Sequence, residues 1–154
     1  MLRISGNSCD RHFAVVTLDR DLESIDLLVN TTSPYHGVTL IDLARDATVA
    51  AFEIDSECEW SIEFLPMSAA QTMTHPGTIS GSGDDVVTVP HGGVMNIVGN
   101  AADRHFAVIA YGPNGKSLDL LVNTADPYNG TVRVPGGTRY LQIDGVGSWT
   151  LTYP

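Results

Sequence analysis

The strongest constraint on this chain is that much of it occurs twice. Residues 6–37, GNSCDRHFAVVTLDRDLESIDLLVNTTSPYHG, align without gaps with residues 99–130, GNAADRHFAVIAYGPNGKSLDLLVNTADPYNG, and 18 of the 32 positions are identical. After a four-residue length difference the match resumes, with EIDSECEWSIEF (53–64) facing QIDGVGSWTLTY (142–153), so Trp60 corresponds to Trp149. Self-similarity on this scale implies one small folding unit made twice.

Within each copy the apolar residues come in short runs rich in Val, Ile, Leu, Thr and aromatics, bounded by Gly, Pro, Asn and Asp. That is the pattern of short strands, and no stretch reads as an amphipathic helix. In the second copy strands are expected near 86–89, 94–98, 105–111, 117–123, 130–134, 138–144 and 148–153. The turn strings GPNG (112–115), PYNG (127–130) and PGG (135–137) lie between them and supply the φ values that hairpins need. The fold class expected is all-β, with two tandem antiparallel β-sandwich modules, jelly-roll-like in their strand pattern.

The intervening stretch PMSAAQTMTHPGTISGSGDD (66–85) has the composition of a loop. The boundaries expected are therefore module 1 over 1–66, a linker over 67–82 and module 2 over 83–154. Module 1 begins where the counterpart of GDDVVTVP (83–90) should already have ended, so it is expected to lack its leading strand. A missing strand leaves backbone groups unpaired along a sheet edge, and such edges recruit strands. The cover is expected from the linker, from a partner protein, or from a second copy of this chain.

Eight Lys and Arg against 18 Asp and Glu give a net charge of −10. The average field repels phosphate backbones and anionic lipid, which argues against nucleic acid and membrane surfaces as partners. Residues 1–10 contain no apolar run of a secretion signal, and no stretch reaches the roughly 18 apolar residues of a membrane span. The two cysteines, Cys9 and Cys58, face Ala102 and Gly147 in the second copy, so a disulfide is not required by the repeat. Two unpaired thiols are the expectation, because pairing needs a Cα separation that a sequence does not display.

The string DRHF occurs at Asp10–Arg11–His12–Phe13 and again at Asp103–Arg104–His105–Phe106. Strand alternation puts Phe13 and Val15 on one face and His12 and Ala14 on the other, so the string reads as architecture, with Asp10 and Arg11 serving the turn. Asp26 with Asn30, and Asp119 with Asn123, are expected on a shared strand face, yet two oxygens fall far short of a calcium shell. The five histidines show no zinc spacing, and no GxSxG, P-loop or dinucleotide fingerprint occurs. No catalytic residue, metal site or cofactor is expected. Trp60 and Trp149 are expected in the sandwich core, and Tyr35 and Tyr128 are expected to lock their turns. A possible interaction surface is assigned to Asp10, Arg11, His12, Asp103, Arg104, His105, Trp60 and Trp149.

The second copy's order, a GDD strand, a strand opening HFAV, then SLDLLVNTADPYNGTV and a closing GSWTLTY, resembles tandem β-sandwich modules of actinobacterial surface proteins and actinobacteriophage proteins, and is loosely similar to pre-peptidase C-terminal domains. The resemblance implies a fold and no catalytic residues. The functional expectation is a non-enzymatic structural or interaction protein, an accessory or decoration component of a larger assembly such as a phage virion. The partner expected is a protein or a further copy that completes the edge of module 1. The alternative is a carbohydrate-binding or adhesion module at a bacterial cell surface, with glycan as ligand.

Overall fold

The structure is a computed structural model that describes residues 1–43, 48–101 and 104–154. The described residues form an all-β architecture, antiparallel except for one short ladder, and the chain divides into Met1–Leu65 and Pro66–Pro154. No helix among them is long and apolar enough to cross a membrane.

The first unit has six strands, β1 (Leu2–Gly6), β2 (Phe13–Leu18), β3 (Ser24–Thr31), β4 (Tyr35–Thr39), β5 (Ala51–Ser56) and β6 (Trp60–Phe64). They form two three-stranded sheets, ordered β4-β1-β6 and β3-β2-β5. Alternation sets what each sheet contributes to the interior: Leu2 and Ile4 from β1, Phe13 and Val15 from β2, and Val29 from β3 are buried. Phe52 and Ile54 of β5 and Ile62 of β6 pack against this cluster but are only partly buried.

The second unit opens with a 3-10 turn at Met67–Ala69 and has nine strands. They are β7 (Gln71–Thr72), β8 (Gly77–Ser82), β9 (Asp85–Thr88), β10 (Gly93–Gly99), β11 (Phe106–Tyr111), β12 (Ser117–Thr124), β13 (Tyr128–Val134), β14 (Tyr140–Gly145) and β15 (Ser148–Tyr153). One sheet runs β13-β10-β15-β8 and the other β12-β11-β14-β9-β7. The seven strands expected from the sequence are present with ends that agree to within two residues, and 148–153 coincides with β15. Residues 67–82, read from composition as a linker, instead carry the 3-10 turn, β7 and β8, and the latter two pair with β9 and β15 of their own unit. The small residues of GTISGS that look like linker sequence serve close packing, since a Cβ on Gly81 would overlap the Trp149 indole.

The order β4-β1-β6 reappears as β13-β10-β15, and β3-β2-β5 as β12-β11-β14. Aligned residues also pair alike: Gly6 opposes Tyr35 as Gly99 opposes Tyr128, and Phe13 opposes Thr31 as Phe106 opposes Thr124. What differs is the pair of consecutive strands β8 and β9, one in each sheet. In the second unit β8 closes the free side of β15, and β9 closes the free side of β14. Among the described residues the first unit has no strand at either place and none matching the short β7 beyond β9, so it is short by three strands where the sequence suggested one. The consequence appears among the described residues in the hydrophobic clusters at the two cores, fifteen buried residues in that of the second unit against five in that of the first. At ~1.5–3 kcal/mol per large apolar side chain buried, the first unit holds much less of its stability in its own interior.

Candidate functional site

The candidate site is the pair of sheet edges that β8 and β9 cover in the second unit. Strands β5 and β6 are the outer strands of their sheets, and among the described residues neither has a partner on its outer side. Backbone donors and acceptors along both are left for a ligand strand or for water.

The side chains beneath that gap match those which β8 and β9 cover in the second unit. Trp149 is 2% exposed and its Nε1–H donates to the carbonyl oxygen of Gly83 at 2.9 Å, whereas its counterpart Trp60 is 48% exposed. Tyr153 is 1% exposed and donates its hydroxyl to the His91 carbonyl, whereas its counterpart Phe64 is 69% exposed. Ile143, Leu141 and Leu151 are fully buried, whereas Ile54, Phe52 and Ile62 are half-buried. Phe64 meets Phe52 across the open end of the sandwich in an edge-to-face contact with centroids 6.1 Å apart. The expectation that both tryptophans lie in a core therefore holds for Trp149 and fails for Trp60. The reason is that the glycine-bearing strand that covers Trp149 has no equivalent over Trp60. Conversely Trp149, buried as it is, is not part of any interaction surface.

The outward-facing residues along the gap have a different chemistry. In the second unit Thr150 and Thr152 of β15 bond across to Ser80 and Thr78 of β8 through their hydroxyls, at 2.9 and 3.1 Å, and Ser148 opposes Ser82. The aligned residues of the first unit are Ser61, Glu63 and Glu59. With Glu53 and Glu57 standing where Gln142 and Val146 stand, the open edge carries four carboxylates that the closed one lacks. All four are exposed, and Glu63 holds Arg3 of β1 at 2.6 Å. Residues 1–65 contain four arginines against twelve Asp and Glu, so the acidity of the chain is concentrated in the unit with the open edge.

One end of the first unit is fastened at three turns. Asn7, buried and at φ 62°, accepts from the Arg11 amide at 2.8 Å and donates to the Ser33 carbonyl at 3.1 Å, tying the β1–β2 turn to the β3–β4 turn. Left-handed φ is tolerated by asparagine better than by most residues. Asn100, at φ 59°, makes the same pair of bonds, from the Arg104 amide and to the Asp126 carbonyl. Cys9 and Cys58 are joined in a disulfide, with Cα atoms 6.2 Å apart, which ties the β1–β2 turn to the β5–β6 turn. The expectation of free thiols is thus overturned: the pairing brings together turns that are remote in sequence and adjacent in the fold.

The DRHF residues lie on that end as architecture. Phe13 and Phe106 are buried, and His12 is exposed with Nε2 3.5 Å from an Asp55 carboxylate oxygen. Asp10, Arg11, Arg104 and His105 are exposed, and Asp103 lies outside the described residues. The Asp26–Asn30 pair is separated by a bulge that the sequence does not announce. Val15 opposes Val29 and Val16 opposes Leu27, so Leu28 is the extra residue. Asp26 then shares the face of Thr17 and Asn30 the face of Ala14, which are opposite faces. The same slip at Leu121 separates Asp119 from Asn123. Among the described residues no group of three or more His, Cys, Asp or Glu could hold a metal ion. The sequence signal for this candidate site is the set of acidic residues on and between the last two strands of the first copy, where the second copy has neutral ones.

Compared with protein-family models and with curated proteins, the chain matches none.

Proposed function

We propose that this chain is a non-enzymatic interaction protein, an accessory or decoration component of a larger protein assembly such as a phage virion, whose first unit docks by accepting β-structure on its open edges. The observation that carries this reading is the contrast between aligned residues: Trp60 and Phe64 stand open where Trp149 is covered at Gly81 of β8 and Tyr153 is covered by His75 and His91. Strand addition of this kind gives affinity through backbone bonds and specificity through alternate side chains. The Cys9–Cys58 bridge fits a place of work outside a reducing cytoplasm, as on a released particle.

A test is to place a copy of residues 77–93 directly before Met1, which reproduces ahead of β1 the connection that precedes Val94. The reading predicts that Trp60 emission moves to the blue and that unit 1 melts higher. An unchanged Trp60 emission together with unchanged melting would refute it.

Exposure of Trp60 also supports the second reading, a carbohydrate-binding platform. Soluble glycans would then shift Trp60 emission in the native chain, and the added segment would abolish that response. Strand acceptance predicts no response to soluble glycans.

A further inference from the structure

The open edge of the first unit differs from the closed edge of the second less in its inward residues than in its outward ones. Inward, an aromatic, an aliphatic and an aromatic residue alternate on both: Trp60, Ile62 and Phe64 against Trp149, Leu151 and Tyr153. Outward, the neutral hydroxyl row of β15 is replaced by Glu59, Ser61 and Glu63. A strand laid on β6 in the register that β8 takes on β15 would put its residue at the Ser82 position opposite Glu59, and its residue at the Thr78 position opposite Glu63. Directly opposed residues in an antiparallel pair sit close enough for unlike charges to attract and like charges to repel.

From this we infer that the occupant of the edge is a cationic β-strand of a partner protein. It carries Lys or Arg at the positions facing Glu59 and Glu63, a small residue facing Trp60 in the manner of Gly81, and an aliphatic residue against Ile62 in the manner of Ile79. The inference rests on the strand-accepting reading above and adds to it the chemistry of the partner. Two alternatives are disfavoured by the same carboxylates. A second copy of the chain pairing edge to edge would bring Glu59 and Glu63 against one another's equivalents. The chain's own β8–β9 segment, residues 77–88, contains Asp84 and Asp85 and no Lys or Arg.

Two synthetic peptides of residues 75–91 test this against the full chain, one unaltered and one carrying Thr78→Lys and Ser82→Lys, with Trp60 emission as the readout. The inference predicts a blue shift with both and binding of the lysine peptide at least about threefold tighter at low salt, as exposed pairs provide. That advantage disappears near 1 M salt, where the screening length falls to roughly 3 Å. It is also reduced in a Glu59→Gln chain. Equal or tighter binding of the unaltered peptide overturns the inference while leaving the strand-accepting reading intact. Failure of either peptide to shift Trp60 overturns both. A blue shift of the chain alone with rising concentration, accompanied by a doubled mass in light scattering, overturns the inference in favour of a second copy as occupant.

Discussion

Replacing Trp149 and Trp60 separately by alanine measures how far two aligned residues differ in what surrounds them. Trp149 is sealed under β8, and its ring nitrogen is bonded to the Gly83 carbonyl. Removing a buried indole costs about 3–5 kcal/mol, which includes the cavity it leaves. For Trp60 about half of the surface is already in water. Roughly 100 Å² then returns to solvent on removal, about 2.5 kcal/mol at 25 cal/mol per Å², and a compact unfolded chain lowers that to about 1–2 kcal/mol. Calorimetry of the full chain, with circular dichroism to follow strand content, is the assay. At 4–8 °C per kcal/mol for domains of this size, Trp149→Ala should lower the melting of its unit by more than about 12 °C. Trp60→Ala should lower the melting of its own unit by about 4–16 °C, less than Trp149→Ala at any one value of that scale. Should Trp149→Ala leave so little structure that no transition remains, Trp149→Phe keeps the comparison readable. Equal costs for the two alanine variants would refute the argument, because it would mean that Trp60 is as enclosed as Trp149.

Three further outcomes follow from the same structure. Opening the disulfide with Cys58→Ser should destabilise the first unit by about 4 kcal/mol, the chain-entropy value for a separation of 49 residues, and leave the second unit's transition in place. Asn100→Ala should cost about 2 kcal/mol, because it removes two turn-spanning hydrogen bonds and strains alanine at positive φ; Asn7→Ala should do the same to the first unit, and Asn100→Gly should recover the backbone part but not the bonds. Burial raises the Tyr153 phenol above its ordinary value of 10.0, so the folded state holds that proton more tightly than the unfolded one. The second unit should therefore keep this contribution below pH 10.0 and lose stability as pH rises beyond it, a slope that Tyr153→Phe removes in pH-dependent denaturation and that Phe64 never gives the first unit.

Strand positions are readable from the sequence because the strands are short apolar-rich runs bounded by Gly, Pro, Asn or Asp, as FAVIAY before GPNG shows. The β8 strand was not readable for the opposite reason. GTISGS has the composition of a linker, and the need for Gly81 comes only from the indole packed over it. The disulfide and the Leu28 and Leu121 bulges depend on distance and register, which no local pattern encodes. Of the two tryptophans, both expected in a core, Trp149 is buried and Trp60 is half-exposed. The exposure of Trp60 follows from the absence, among the described residues, of a strand on the outer side of β6. The acidic edge was legible, since Glu53, Glu57, Glu59 and Glu63 face Gln142, Val146, Ser148 and Thr152 in the repeat. The role of Asn7 and Asn100 is not legible locally, because each bonds a carbonyl 26 residues away in sequence.

Amide hydrogen exchange, read separately over Trp60–Phe64 and Ser148–Tyr153 at a concentration where light scattering reports a monomer, tests the open edge most directly. The β15 segment, flanked by β10 and β8, should be protected along both sides. The β6 segment, flanked only by β1, should exchange rapidly at the amides on its outer side and become protected when the lysine peptide is added. Full protection of Trp60–Phe64 in the monomer without peptide would contradict the account, because the edge on which it rests would already be closed.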